Sequence, residues 1–257
     1  MKNLIVKKLF YTVIADKESY EKAVKLEKGY PNFKFLLDHF ELEIILNKVY
    51  LSEDEARAEV EPILKNWETY IDLVHERNEI RFKFSHAELI ESELENDQGK
   101  RIISLTSKAV LSTSVSFKLI TPRDKYPNPP NNFTLSPDVS TLIHRFNNSL
   151  DENEPITSMA YFCLTLIEYK AGSRKDAIIK FDIDEKVLRK IGELSSTRGD
   201  YTEARKINVH SKLVELNPKE RSWLIQALKK IILRIGEYDL KPNGNFPRIE
   251  MNNLPSL

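Results

Sequence analysis

Hydrophobic and polar positions follow two different periods in the two halves of the chain. In the first half, β-branched and aromatic residues form short runs in which apolar and polar positions alternate in places. These runs cover residues 40–46, 80–84, 102–105 and 110–120. Strands with one buried face show such alternation, so the first half predicts a sheet of short strands.

One helix is predicted between these strands. Ser52 followed by Glu55 is typical of a capping box, in which the hydroxyl and the carboxylate satisfy free amides at a helix start. Trp67, Ile71 and Val74 then recur at helical spacing. Pro62 is expected to kink or split this helix, because proline lacks an N–H and clashes with the preceding turn.

Beyond residue 135 the apolar period is that of helices. Ser136, Pro137 and Asp138 predict a helix start, and an apolar face follows at Val139, Leu142, Ile143, Phe146 and Leu150. A second helix, from Pro155 to Gly172, is apolar almost all round and is therefore predicted to be central. The run Asn217, Pro218, Lys219 and Glu220 predicts the capped start of a last helix that ends at Gly236.

Four prolines between Pro122 and Pro130 favour extended backbone and indicate a linker. The predicted fold class is α+β, with an N-terminal mixed strand/helix domain followed by an all-α helical bundle. The predicted boundaries are an α+β domain at 1–121, a Pro-rich linker at 122–135, a helical bundle at 136–238 and an extended tail at 239–257.

Composition excludes several classes of protein. The 39 Lys and Arg residues balance 39 Asp and Glu residues, so the overall positive field of a general DNA-coating protein is absent. The seven glycines form neither a dinucleotide-binding turn nor a phosphate loop. Lys7 and Lys8 interrupt the apolar start, and no apolar run approaches the ~20 residues of a membrane span. We therefore expect a cytoplasmic protein with no membrane partner.

Metal and cofactor chemistry finds little support in the sequence. The five histidines are scattered without a zinc-binding pair, and the single Cys163 lies in an apolar stretch, where it is expected to be a buried hydrophobe. Asp182, Asp184 and Glu185 precede a predicted helix and are better explained as cap and dipole partners than as cation ligands. We expect no metal and no cofactor.

The segment 194–210 differs from the rest of the sequence, because it is polar and lies between two apolar predicted helices. It holds Arg198, Arg205, Lys206 and His210 within thirteen positions, and Ser196 and Thr197 add hydroxyls. Arginine forks bind phosphate or carboxylate, and histidine can move a proton near neutral pH. The segment therefore predicts an anion site, with Arg198, Lys206, Ser196 and Thr197 binding the substrate.

Arg205 and His210 together resemble the R-x4-H motif of the HEPN families, which are helical bundles that include metal-independent ribonucleases and non-catalytic nucleotide-binding relatives. The resemblance covers roughly residues 135–238. It implies that two bundles pair, that His210 transfers a proton at the ribose 2′-hydroxyl or the leaving oxygen, and that Arg205 stabilises the charge on the phosphate. RNA or a nucleotide would be the ligand, and a homodimer the assembly. The same spacing at Arg81 and His86 lies on a predicted strand, where those side chains point to opposite faces.

The alternative is a non-enzymatic adaptor or regulatory protein whose 195–210 segment is a structural or anion-binding loop. Asp200 and Glu203 balance the arginines of this segment, and an ion-pair network of Arg198, Arg205 and Glu203 would then hold the connection in place. A further hypothesis is that the tail docks on a partner or a second copy through its apolar residues Phe246, Ile249, Met251 and Leu254.

Overall fold

A computed structural model describes residues 3–92, 102–104, 122–199 and 214–257 of the 257-residue chain. The chain folds into two compact units, residues 1–130 and 131–257. Strands occupy the first unit and helices dominate the second, which confirms the α+β class. Among the described residues, no helix combines the length and the apolar character that crossing a membrane requires.

The N-terminal unit contains an antiparallel sheet and one long helix. Its elements are β1 (Asn3–Ala15), α1 (Lys17–Tyr20), β2 (Leu26–Gly29), β3 (Phe33–Asp38), β4 (Glu41–Tyr50), α2 (Glu53–Val74), β5 (Ile80–Ser92) and β6 (Ile102–Ser104). The strand order is β2-β3-β4-β1-β5-β6, and β1 pairs with both β4 and β5. Three of the four predicted strands correspond to β4, β5 and β6, while 110–120 lies outside the described residues.

One face of the sheet is buried against α2, which contacts β1, β4 and β5. Alternation along the strands places every second side chain in this core, as at Phe33, Phe35 and Leu37 of β3. The capping prediction is confirmed at Ser52, whose side chain accepts from the Glu55 N–H at 3.2 Å. The Glu55 carboxylate in turn accepts from the N–H of Leu51 rather than that of Ser52.

Pro62 does not split α2, so the prediction of a divided helix is wrong. The helix continues from Glu53 to Val74 with the proline inside it. Val60, Leu64 and Trp67 are buried on both sides of the proline. Burial of each of these side chains contributes about 1.5–3 kcal/mol. Together the three contributions exceed the roughly 3 kcal/mol that an interior proline costs.

Residues 122–130 pack within the N-terminal unit. The Tyr126 ring is buried and stacks on Tyr20, with ring centroids 5.2 Å apart. The indole Nε1 of Trp67 donates to the carbonyl of Pro127 at 3.1 Å, and Arg123 pairs with Glu79 at 3.0 Å. Much of the Pro-rich stretch, predicted as a linker, therefore contributes side chains and a carbonyl to the structure of the first unit.

The C-terminal unit is helical. Its elements are α3 (Pro137–Leu150), α4 (Ile156–Ala171), α5 (Arg174–Lys180), α6 (Glu185–Thr197), α7 (Pro218–Leu240) and a short 3₁₀ turn at Met251–Asn253. Helix α4 contacts α3, α5, α6 and α7, as its apolar sequence predicts for a central helix. Ser136 caps α3, Asp184 caps α6, and Asn217 with Glu220 forms a capping box on α7.

Helix α7 runs past Gly236 and ends at Leu240, so the predicted end of this helix is wrong. Gly236 lies inside the helix because the ring of Phe133 packs directly on its α-carbon, where a side chain would overlap it. The carbonyl of Gly236 also accepts from the N–H of Thr134 at 3.2 Å. The glycine therefore serves a close contact rather than a helix end.

Residues 241–257, most of the predicted tail, pack on the same unit. Ile249 and Leu254 are buried, and the backbone of Ile249 bonds to that of Asp182 and Asp184 at 3.0 and 2.8 Å. Arg234, which is 3% exposed, donates to the carbonyl of Pro247 at 2.5 Å. Two of the apolar side chains considered for docking are thus used within the unit.

Candidate functional site

Three of the residues predicted to bind a substrate lie at the end of α6. Ser196 and Thr197 form its last turn, and Arg198 is the capping residue that follows. The remaining predicted site residues, Arg205, Lys206 and His210, lie in 200–213, outside the described residues. The described part of the site is therefore the connection from α6 into α7.

Arg198 is held by Glu220 in the first turn of α7. Its Nε lies 3.1 Å from both carboxylate oxygens, and its Nη2 lies 2.9 Å from Oε1. The side chain of Arg198 is 25% exposed and that of Glu220 is 10% exposed. Hydrogen bonding to Glu220 raises the pKa of Arg198, and the same guanidinium lowers the pKa of the Glu220 carboxyl. Such a charge-assisted pair is among the stronger polar contacts in proteins.

Glu220 has a second role as the third residue of the α7 capping box. Its carboxylate accepts from the N–H of Asn217 at 3.2 Å, while the Asn217 side chain accepts from the N–H of Glu220 at 2.9 Å. This local motif holds the carboxylate in the position where it bonds to Arg198. The position of Glu220 was readable from the sequence as a cap, but its pairing with Arg198 was not.

The two hydroxyls predicted to bind a substrate are bonded to their own helix. Ser196 Oγ donates to the carbonyl of Gly192 at 2.7 Å, and Thr197 Oγ1 donates to that of Glu193 at 2.8 Å. Thr197 Oγ1 also accepts from Nη1 of Arg198 at 3.3 Å. Bonds of this kind, to the carbonyl four residues back, are common for serine and threonine in helices.

The backbone after α6 pairs with the backbone before α7. The N–H of Gly199 donates to the carbonyl of Val214 at 3.1 Å, and Arg198 and Val214 form a parallel bridge. Gly199 has φ 120°, a backbone conformation that residues other than glycine rarely adopt. Gly199 and Val214 therefore lie side by side in the helical unit.

Arg81 and His86, the other pair with R-x4-H spacing, do not point to opposite faces of β5, so that prediction is wrong. A register shift leaves Ser85 unpaired and pairs Arg81 with Ile14 and His86 with Phe10, which share one face of β1. Arg81 pairs with Asp72 at 2.5 Å and also donates to Asn78. His86 instead stacks on Phe10, with ring centroids 4.5 Å apart and the planes 7° from parallel. The two residues serve the local structure of β5 and its neighbours.

Cys163 is fully buried in α4, and burial raises the pKa of its thiol to about 12, so it is protonated at neutral pH. The described residues contain no cluster of three or more His, Cys, Asp or Glu side chains that could hold a metal ion. Asp184, weighed as a cation ligand, accepts from the N–H of Lys186 at 2.7 Å as the cap of α6.

A second candidate site lies in the N-terminal unit, and the sequence analysis did not identify it. It is a cleft of about 620 Å³ between α2 and the strands β1 and β5. Tyr11 contributes from β1, Arg57, Ala58 and Pro62 from α2, and Phe84 from β5. The signal available in the sequence was Pro62, because a proline inside a helix frees a backbone carbonyl.

Comparisons of the chain with protein-family models, with curated proteins and with solved structures give no match.

Proposed function

We propose that this chain is a non-enzymatic adaptor or regulatory protein in which the 195–210 segment is a structural connection between α6 and α7. The observation that carries the proposal is the pairing of Arg198 with Glu220. An anion site needs cationic donors that are open to a ligand. In this guanidinium, Nε and Nη2 already bond to the Glu220 carboxylate, and Nη1 bonds to the Thr197 hydroxyl.

The energetics favour the pair over an added anion. Hydrogen bonds to charged groups contribute about 1.5–3 kcal/mol when they are well formed, and partial exposure places this pair at the lower end of that range. A phosphate binding to Arg198 would have to displace Glu220 or lie beside it. Either arrangement sets two negative groups against each other, which opposes binding.

The proposal predicts measurable coupling between the two side chains. Arg198→Gln and Glu220→Gln each lower the stability of the C-terminal unit, and the double variant loses about 1 kcal/mol less than the sum of the two. Denaturant unfolding followed by Trp223 fluorescence, in a Trp67→Phe background, measures this unit, because those are the two tryptophans of the chain.

The matched control is the pair Arg174 and Glu168 in the same unit, whose charged atoms are 2.5 Å apart and whose side chains are 46% and 30% exposed. Ion pairs this exposed couple by about 0.5 kcal/mol or less. Strict additivity for Arg198 and Glu220 would contradict a structural role for the segment.

The same variants carry a pH dependence with a defined sign. The pKa of Glu220 is lower in the folded chain than the roughly 4.3 of an unfolded glutamate, so unfolding takes up a proton between those two values. The stability due to the pair is therefore complete at neutral pH and is lost as the pH falls below about 4. The advantage of the unmodified chain over Glu220→Gln should shrink in that range.

A second candidate function is a HEPN-like, metal-independent RNA endonuclease in which the N-terminal unit selects the RNA. The hydrogen bond between Gly199 and Val214 favours it, because it brings together the two residues that flank positions 200–213, the part of the sequence that contains Arg205 and His210. In this candidate His210 transfers the proton, Arg205 stabilises the phosphate charge, and Lys206 contacts the RNA backbone.

RNA cleavage distinguishes the two candidates. Under the nuclease proposal, the purified chain cuts single-stranded RNA in the presence of a chelator, and His210→Ala abolishes cleavage without changing the midpoint of unfolding. His144→Ala, an exposed histidine on α3, is the control that keeps full activity. Cleavage that depends on His210 would contradict the non-enzymatic proposal, and a parent chain that leaves RNA intact would contradict the nuclease.

A further inference from the structure

The backbone of β5 around Phe82 points away from β1. Val13 of β1 is the residue opposite Phe82, and the N–H of Val13 donates to the carbonyl of Phe40 at 2.8 Å, on the β4 side of β1. In an antiparallel ladder, opposite residues that do not bond to each other both turn their N–H and C=O groups outward. The N–H of Phe82 and, two residues earlier, the carbonyl of Ile80 therefore face the outer edge of β5.

Glu68 of α2 bonds to this outward amide. Its Oε1 accepts from the N–H of Phe82 at 2.8 Å, and its Oε2 lies 3.3 Å from Nζ of Lys65. An amide that already donates to a carboxylate is closed to the carbonyl of another strand, because each backbone N–H has one hydrogen to donate.

Arg81 bonds to the outward carbonyl of Ile80. Its Nη1 donates to that oxygen at 2.7 Å, and its Nη2 pairs with Asp72 of α2 at 2.5 Å. Asp72 and Glu68 are one turn of α2 apart, so they lie on the same face of the helix. That face therefore supports both bonds to the edge of β5, one directly and one through Arg81.

These bonds explain why two carboxylates are buried on α2. Glu68 is 8% exposed and Asp72 is 9% exposed, although charged side chains are rarely buried unless they are bonded. Apolar side chains at both positions would also pack against β5, but they would leave the amide of Phe82 and the carbonyl of Ile80 open. Open groups at a sheet edge are a template on which another strand can add.

The cleft between α2 and β5 provides room beside this edge. Phe82, Lys83 and Phe84 all line it, together with Glu68. Successive side chains of a strand point to opposite faces, so three consecutive residues line one cleft only along the edge of the strand. Strand β6 pairs with a later part of β5, residues 88–90. The cleft, of about 620 Å³, is therefore the space that a strand added beside Phe82 would enter.

We infer that Glu68 and Arg81 close this edge of β5 to the same edge of a second copy of the chain. Two identical edges fit each other in antiparallel orientation, because a two-fold axis sets the N–H groups of one against the C=O groups of the other. The partner that the two side chains exclude is therefore the chain itself. This edge lies in the other unit from the 195–210 segment, so its protection goes beyond both functions proposed for that segment.

Hydrogen exchange of the Phe82 amide, followed by NMR in the full chain, tests the bond to Glu68. Glu68→Ala should raise the exchange rate about tenfold, because the amide loses its acceptor, whereas Glu68→Gln keeps a side-chain oxygen and should exchange like the parent. Glu61→Ala is the matched control, because it removes a carboxylate of the same helix and cleft that bonds to Arg57 instead of to the strand. An unchanged rate in Glu68→Ala would overturn the inference.

Sedimentation equilibrium of the full chain tests the protection against a second copy. Glu68→Ala and Arg81→Ala should each raise the self-association constant about tenfold over that of the parent, while Glu68→Gln and Glu61→Ala should match the parent. The two alanine variants open the edge from different elements, so a folding defect in one leaves the other to decide. Self-association no stronger in Glu68→Ala and Arg81→Ala than in Glu61→Ala would overturn the inference.

Discussion

At the residue scale, Gly236 illustrates how a local signal can be outweighed by a distant contact. In sequence, a glycine after an apolar run is typical of a helix end. In the structure it is interior to α7, because the Phe133 ring occupies the space of a side chain. The residue that explains the glycine is 103 positions away in sequence, so no local pattern could indicate it.

Gly236→Ala should therefore destabilise the C-terminal unit despite the better helix propensity of alanine. The added methyl would overlap the Phe133 ring and lie 2.9 Å from the carbonyl oxygen of Thr134. Overpacking of this kind costs about 1–3 kcal/mol. Denaturant unfolding followed by Trp223 fluorescence measures the change.

Gly192→Ala on α6 is the matched control with the opposite sign. Its methyl would meet the Leu164 side chain at 3.5 Å, an ordinary contact, so helix propensity dominates and stability rises by about 0.5–1 kcal/mol. Equal effects of the two substitutions would contradict the close packing at Gly236.

At the element scale, helix starts were the most predictable features of this protein. Ser136, Asp184 and Asn217 cap their helices through side-chain bonds to amides two or three residues further on. These interactions are complete within one turn of chain, so sequence spacing suffices to predict them.

The continuity of α2 through Pro62 could not be predicted from neighbouring residues alone. Pro62 destabilises the helix locally, because it removes one backbone hydrogen bond. Val60, Leu64 and Trp67 stabilise the helix by packing in the core that it forms with the sheet. The balance depends on how much surface the sheet covers, which is a tertiary quantity.

At the scale of the whole molecule, residues 241–257 complete the C-terminal unit instead of extending from it. Ile249 is 5% exposed, and its backbone bonds to the loop between α5 and α6. Arg234 reaches the same region from α7 and donates to the carbonyls of Phe181 and Pro247. The guanidinium thereby joins three parts of the unit that are separated in sequence.

Ile249→Ala should lower the stability of this unit by about 2–5 kcal/mol, the range for truncating a buried isoleucine. Asn252→Ala, an exposed residue in the 3₁₀ turn, should change it by at most about 0.5 kcal/mol. Both are measured by Trp223 fluorescence in denaturant. Equal effects would contradict the packing of the C-terminal residues.

The sequence by itself determined the α+β class, the strands whose alternation is clear and the helix caps, because each depends on periodicity or on contacts within a few residues. It also singled out Arg198, Ser196 and Thr197, but only as residue types suited to anion binding. Tertiary structure decided what they do: Glu220, 22 positions away, occupies the guanidinium of Arg198. The cleft beside Pro62 likewise exists only because β1 and β5 lie against α2. Contacts between distant residues depend on how the elements pack, and one-dimensional spacing does not encode that arrangement.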